Sequence, residues 1–296
     1  MTEGSGPVLV TGASSGIGRA ITEFLSENQH PVLAAARKEV DLAALARLPG
    51  VRPIPLDVTR DDDVRAAVGS IEEQGRGLYG LVNNAGIAEI GPLLDTSVEE
   101  MEHILGVNLA GMHRMVRSCF PLLARSRGRI VNIGSINGII PEMFFGPYCI
   151  SKFAVEAYSD VLREELSGLG IHVSLVEPGG FRSNITTNLV GRKGGSLEAQ
   201  FASSPYREAL RKMLAQMSET PGELDRSRYP VPRPVAQAVS HALFSETPKA
   251  RYLVASREEV DATIAQVLTL LRQLNQQHEH TLPADQLAER LRSVVR

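Results

Sequence analysis

A doubly wound, parallel α/β sheet of about seven strands flanked by helices is the fold class this sequence predicts, on three observations. Short apolar runs alternate with segments whose apolar residues recur at helical spacing. Glycines cluster just after the apolar runs, at positions 12, 16 and 18, then 86, 134, 179 and 180. The chain of 296 residues, 43% hydrophobic and 22% charged, carries enough apolar material for a substantial core, which excludes disorder and collagen. Parallel neighbours need a crossover of a dozen or more residues, usually a helix, and the alternation supplies helices between most of the strands.

Taken in order, residues 7–10 form a first strand that ends in a Gly-Ser cluster, after which Ile17, Ala20, Ile21, Phe24 and Leu25 mark a helix face. Residues 31–36 and 51–57 read as the second and third strands; Val64, Ala67, Val68 and Ile71 lie on a helix, and 78–83 is the fourth strand. A long helix over about 97–123, a strand at 129–134, a helix over about 148–167 and a strand at 171–176 complete six strands. Beyond Pro178 the texture changes: residues 184–235 are polar and proline-rich, and read as a lid over a site. Residues 251–255 are expected to be a seventh strand, and Val260, Ile264, Val267, Leu268 and Leu271 a last amphipathic helix. The expectation is one domain over 1–296, with a core at about 7–183, the lid at about 184–235, and a terminal strand and helix at about 236–296.

Charge and cysteine content narrow the partners. Against 34 acidic residues stand 31 basic ones, a net charge of −3, so no basic surplus points to nucleic acid or an acidic membrane, and an anionic ligand must be held locally. Cys119 and Cys149 supply neither a disulfide framework nor a zinc spacing, and no metal is expected. The amino terminus has no signal-like charge and apolar pattern, and no apolar run approaches the roughly 20 residues of a spanning helix, so the expectation is a cytoplasmic protein with no membrane span.

Residues 11–18 read TGASSGIG between the first strand and helix. Gly12 can turn without a Cβ penalty, Gly16 lets backbone approach a phosphate, and Gly18 lets helix and strand pack closely. Ser14, Ser15 and Ile17 complete this turn, where unpaired N–H groups and the helix dipole favour an anion. No Lys-Ser/Thr follows the last glycine, so this is not a P-loop. Taken singly, Ser135, Tyr148, Lys152 and Asn108 are ordinary residues; their order and spacing are not. The chain resembles the short-chain dehydrogenase/reductase superfamily through TGASSGIG, NNAG at 83–86, Asn108, Ser135, the YxxxK pair Tyr148 and Lys152, and a PGxxxS element from Pro178 to Ser183. In texture it is closest to the steroid and retinol dehydrogenase branch.

The physical reading stands beside that resemblance. Positions 148 and 152 share a helix face, so the Lys152 ammonium can approach the Tyr148 phenol and draw its pKa down from about 10. Tyr148 then serves as general acid in reduction and base in oxidation, with Ser135 hydrogen-bonding the reacting oxygen. The resemblance implies a single Rossmann-fold domain, a role for Lys152 on the nicotinamide ribose, and a role for Asn108 in holding a water through a helix irregularity. It also implies cofactor contacts from Asn84, Ala85, Gly86, Pro178, Gly179, Phe181 and Ser183, and an adenine site framed by Asp57 and Val58. Arg37 follows the second strand where an NAD site places a carboxylate, so NADP(H) is preferred, with NAD(H) the alternative. The expected function is interconversion of a secondary alcohol and a ketone or aldehyde, on a bulky apolar substrate walled by Ile136, Ile139, Ile140, Met143, Phe144 and Phe145. The alternative is a dinucleotide-binding redox sensor or scaffold on the same fold. By analogy the chain is expected to form a homodimer or homotetramer.

Overall fold

The computed structural model describes residues 6–75, 77–183, 201–217, 229–276 and 281–294. Strands β1 (Val8–Val10), β2 (Val32–Ala36), β3 (Val51–Pro55), β4 (Gly80–Asn83), β5 (Arg129–Ile133), β6 (His172–Pro178) and β7 (Arg251–Val254) form one sheet. Its order is β3-β2-β1-β4-β5-β6-β7, and every pairing is parallel. The order reverses between β1 and β4, which opens a crevice at the carboxyl edge where ligands of such sheets bind.

Strand residues alternate between two faces, and both faces are covered, so the strands read as unbroken apolar runs. Leu9, Leu33, Ala35, Leu81 and Ile130 pack with Met115, Leu122, Leu123 and Leu162 on one side. Val8, Val10, Ala34, Ala36, Val82 and Val131 pack with Ile21, Leu25, Val235 and Val239 on the other. The first layer is made by α3 (Asp61–Glu72), α5 (Met112–Ser126) and α6 (Gly146–Ser167); the second by α1 (Gly16–Glu27), the short α2 (Glu39–Leu45) and, further along the chain, Arg233–Phe244.

Four features depart from the sequence expectations. The long helix expected over 97–123 is interrupted: α4 (Val98–Leu105) passes through a π-helical segment (Gly106–Gly111) into α5. A π segment inserts an extra residue per turn, which apolar periodicity does not register. The helix expected to begin near 148 starts at Gly146, with Pro147 in the first turn, where its missing N–H costs nothing. Of the polar stretch at 184–235, residues 184–200 and 218–228 lie outside the described residues. The described remainder contains α7 (Arg207–Met217) and the start of α8 (Arg233–Phe244), a core helix against α1. Finally, α9 (Arg257–Leu274), expected to be the last helix, is followed by α10 (Ala284–Val294). Just before and at the start of β5, Arg125 pairs with Glu72 at 2.8 Å and Arg129 donates to the Ala242 and Ser245 carbonyls at the end of α8. Among the described residues no helix is long and apolar enough to cross a membrane.

Candidate active site

At the carboxyl edge of the sheet lies a cleft of about 430 Å³. Of the residues expected to bind the cofactor or act in catalysis, all but Gly18 and Asn108 line it. At one end β1 runs into the turn before α1. Gly12 and Gly16 take positive φ values of 64° and 55°, a conformation that disfavours any residue with a Cβ. Gly18 lies beneath the cleft wall: a Cβ there would sit 2.2 Å from the Gly12 carbonyl oxygen and 2.4 Å from Asn84 Nδ2. Ser15, the N-cap of α1, makes no side-chain capping bond, and the first turn contains no acidic residue. The helix dipole is thus unopposed where it meets the cleft. By contrast, α4 and α9 both begin with capping boxes, Ser97 with Glu100 and Ser256 with Glu259.

The NNAG segment braces this turn. Thr11 Oγ1 donates to the Val82 carbonyl and accepts from the Asn84 and Ala85 N–H groups, each at 3.0 Å, while Asn84 Nδ2 donates to the Thr11 and Gly12 carbonyls at 2.9 and 3.1 Å. The Asn84 side chain is therefore committed to holding the glycine turn. At the mouth, Arg37 Nη1 lies 3.8 Å from Asp57 Oδ2, and its side chain is largely exposed. Burial would raise the Asp57 pKa, but hydrogen bonds from Thr59 and the charges of Arg37 and Arg60 outweigh it and hold the carboxyl below its usual value.

At the other end β5 runs into Ser135, and α6 brings Tyr148 and Lys152 onto one face. Lys152 and Ser135 are buried. Lys152 Nζ donates to the Ile133 carbonyl at 2.8 Å and lies 5.6 Å from the centre of the Tyr148 ring. Ser135 stands beside Tyr148 in the cleft, and its hydroxyl accepts from the Asn137 N–H at 3.1 Å. The expected lowering of the phenol pKa is not what this geometry yields. Burial dominates and pushes Tyr148 up to about 12, aided by Cys149 and Glu142 and opposed by the neighbouring Ser135 hydroxyl. Burial also pushes Lys152 down to about 8, against the pull of the Glu156 carboxylate.

Asn108 lies in the π segment, buried, and makes three bonds at 2.8 Å: Oδ1 accepts from the Ile87 N–H, and Nδ2 donates to the Ile87 carbonyl and to Ser151 Oγ. Ser151 in turn donates to the Tyr148 carbonyl at 2.7 Å. The helix irregularity is present, and the side chain serves to tie α6 to the NNAG loop.

Several lining residues escaped sequence reasoning. Glu142 accepts from Asn137 Nδ2 at 3.0 Å beside Ser135. Glu259 Oε1 accepts from the Gly180 N–H at 2.7 Å, and Tyr229 stands against Gly180. Each comes from a loop or distant segment without a spacing of its own. Of the expected substrate wall, Phe144 and Phe145 pack with Ala88, Ile90, Phe201 and Leu210 against Tyr148, and Ile136 lines the cleft, whereas Met143 is exposed.

Comparison with known proteins agrees with this geometry. The mitochondrial D-beta-hydroxybutyrate dehydrogenase of Bos taurus is 36% identical over 277 residues, covering 84% of this chain and 76% of its own. Retinol dehydrogenase 16 of Mus musculus is 36% identical over 251 residues, with coverages of 83% and 79%. Among solved structures, a short-chain dehydrogenase from Streptomyces avermitilis superposes with a TM-score of 0.74 at 28% identity, covering 93% of this chain and 96% of its own. A variant of actinorhodin polyketide ketoreductase, solved with NADPH, gives 0.68 at 27% identity, with coverages of 85% and 95%. The sequence profile described as short chain dehydrogenase matches residues 7–193, and with this sheet order and cleft the chain belongs to the short-chain dehydrogenase family.

Proposed function

We propose that the protein is an NADP(H)-dependent oxidoreductase that interconverts a secondary alcohol and the corresponding ketone on a bulky apolar substrate. The observation that carries this reading is the convergence, in one cleft, of an uncapped helix N-terminus at one end with half-buried Tyr148 and buried Ser135 and Lys152 at the other. The residues fit a dinucleotide: the start of α1 would hold its diphosphate, Asp57 and Val58 its adenine, and Lys152 a ribose hydroxyl through an N–H other than the one given to Ile133. Arg37, charged and half free at the mouth, suits a 2′-phosphate, which supports NADP(H) over NAD(H). The nicotinamide supplies the hydride when bound.

The protein's part is the proton. Tyr148 gives its phenolic proton to the carbonyl oxygen in reduction and takes it back in oxidation, with Ser135 donating a hydrogen bond to the same oxygen. A phenol held up at about 12 stays protonated across the physiological range, which suits the reductive direction; oxidation needs the positive charge of Lys152 to favour phenolate. The apolar wall around Phe145 and Ile136 supports a bulky apolar substrate. Glu142 disfavours a second carboxylate beside Ser135, so a neutral ketone is expected to outcompete a keto acid. The test is NADPH consumption with a panel of hydrophobic ketones, comparing wild type with Tyr148→Phe. Turnover should fall about 10²–10⁴-fold with NADPH affinity retained. NADPH binding without turnover of any ketone or alcohol by wild type would replace the enzyme with a redox sensor.

A further inference from the structure

One turn beyond Lys152 on the same face of α6 stands Glu156, a buried carboxylate with no part in the chemistry above. Its Oε2 accepts from Arg251 Nη1, and that nitrogen also donates to Glu177 Oε1 at 2.8 Å. Glu177 is 2% exposed and immediately precedes Pro178, where β6 feeds the Pro178–Gly179 wall of the cleft. Arg251 Nη2 donates to Asp160 Oδ2 at 2.6 Å, and Asp160 Oδ1 accepts from Arg163 at 2.7 Å. The second oxygen of Glu156, Oε1, is buried without a hydrogen-bond partner among the described residues. It lies under the turn that carries Ser135: a Cβ at Gly138 would come within 2.8 Å of it, and one at Gly134 within 3.1 Å.

The charges of this cluster do not balance by themselves. Glu156, Glu177 and Asp160 are three carboxylates against the two guanidinium groups of Arg251 and Arg163. Lys152, buried and one turn from Glu156, supplies the third positive charge. The titratable and charged groups facing Glu156 are thus Lys152 and Asp160 on α6, Glu177 on β6 and Arg251 on β7, while the turn at Ile136–Gly138 contributes the backbone at Gly138. Burial raises the Glu156 pKa, the Arg251 hydrogen bond opposes it, and Glu177 adds to the rise. Burial alone would lower the Arg251 pKa, but the surrounding carboxylates hold it above its usual value. A lone glutamate in that position would be expelled or neutral; the guanidinium keeps it in place, and with its pKa raised to about 7 it carries its charge above neutral pH, in the range where Lys152, at about 8, titrates.

We propose that Glu156, fixed by Arg251 against Glu177, is a positioning residue that supplies the counter-charge of Lys152 and seats the Ser135 turn, which makes β7 part of the reaction end of the cleft. The inference rests on the roles given above to Tyr148 and Lys152, but its test needs no turnover. The chain has five lysines, so a protein labelled with ¹³C at lysine Cε gives few resonances, and Lys152→Met identifies one of them. Titrated by NMR without cofactor or substrate, the Lys152 midpoint should fall by about one pH unit in Glu156→Gln, because a favourable neighbouring charge is gone. Glu156→Asp, which keeps the charge but draws it back, should give a smaller fall, and it serves where the glutamine variant is too unstable to titrate. A purely structural role predicts the opposite sign, since a loosened fold lets water reach Lys152 and moves its midpoint up toward free lysine. An unchanged or raised midpoint in both variants overturns the proposal. A wild type that turns over no alcohol or ketone, with the midpoint lowered in Glu156→Gln, would remove the catalytic reading and leave the coupling standing.

Discussion

The two ends of the cleft are prepared in opposite ways. At the glycine end, α1 opens without a side-chain cap or an acidic residue, its turn is made of small residues, and Arg37 stands largely in solvent. At the tyrosine end the groups are buried or half-buried and braced: Lys152 on the Ile133 carbonyl, Ser135 on Asn137, and Tyr148 through Ser151 to Asn108. An end that receives a ligand keeps backbone donors unspent, so that binding repays a debt left by folding. An end that moves protons must hold its groups at fixed distances in a low-dielectric setting, where each charge has a long reach. The first should reveal itself in affinity, and the second in rate and in the titration of its groups.

The sharpest way to break this division is at Gly18. In Gly18→Ala the new methyl would overlap the Gly12 carbonyl and Asn84 Nδ2, at 2.2 and 2.4 Å, and backbone on one side of that contact cannot swing away. The turn must open, at a cost of about 1–3 kcal/mol or more to the fold. NADPH affinity should fall at least about 100-fold, read by the fluorescence of the bound NADPH since the chain has no tryptophan, together with a clear drop in Tm. An alanine variant that bound NADPH normally would show that the turn is not the anion cradle. Arg37→Ala is expected to be milder and more selective. The loss of a charged hydrogen-bonding partner is worth about 1.5–3 kcal/mol, roughly 10–100-fold, and it should fall on NADPH while NADH changes little. Equal weakening of both would reduce Arg37 to a surface cation beside Asp57.

The same division explains how much could be read from the sequence. The glycine end is written in one contiguous stretch, because a turn between adjacent strand and helix is made by neighbours in the chain, and TGASSGIG shows its backbone demands in its residue types. The Tyr148–Lys152 pair is legible for the same reason, being one helical turn. Glu156 was visible only as one more acid on α6; what gives it meaning is Arg251, 95 residues away, and Glu177, 74 residues from Arg251. The helix α8 was hidden differently. Its start lies among the prolines at 230, 232 and 234, which break apolar periodicity just where Val235 enters the core against α1. The direction of the Tyr148 pKa was misjudged because spacing reports that a cation is near but not how much water has been removed.

The smallest effect is expected at Glu259, which tests whether the two helix starts facing the cleft differ in kind. The α9 start spends its own carboxylate on its cap: Glu259 Oε2 accepts from the Ser256 N–H at 2.8 Å, and Oε1 reaches across to the Gly180 N–H at 2.7 Å. Burial would raise the pKa of this acid, but the backbone bonds from Gly180 and Ser256 outweigh it and hold it low. A depressed carboxyl contributes stability that is complete above its unfolded pKa and is lost only as pH falls through the lower folded value, so Glu259 should be fully effective at neutral pH. If its task is to hold the Gly179–Gly180 wall by hydrogen bonds, Glu259→Gln, whose one amide oxygen can still accept from the Gly180 N–H while the bond from the Ser256 N–H is given up, should shift NADPH affinity by less than about 3-fold. Glu259→Ala, which leaves the Gly180 N–H without that acceptor, should cost about 1–2 kcal/mol and weaken binding several-fold more than the glutamine. Calorimetric titration of the two variants side by side decides it. Should glutamine weaken binding as much as alanine, the charge itself would be the active feature, and α9 would join α1 as an electrostatic element of the site rather than a clasp on its wall.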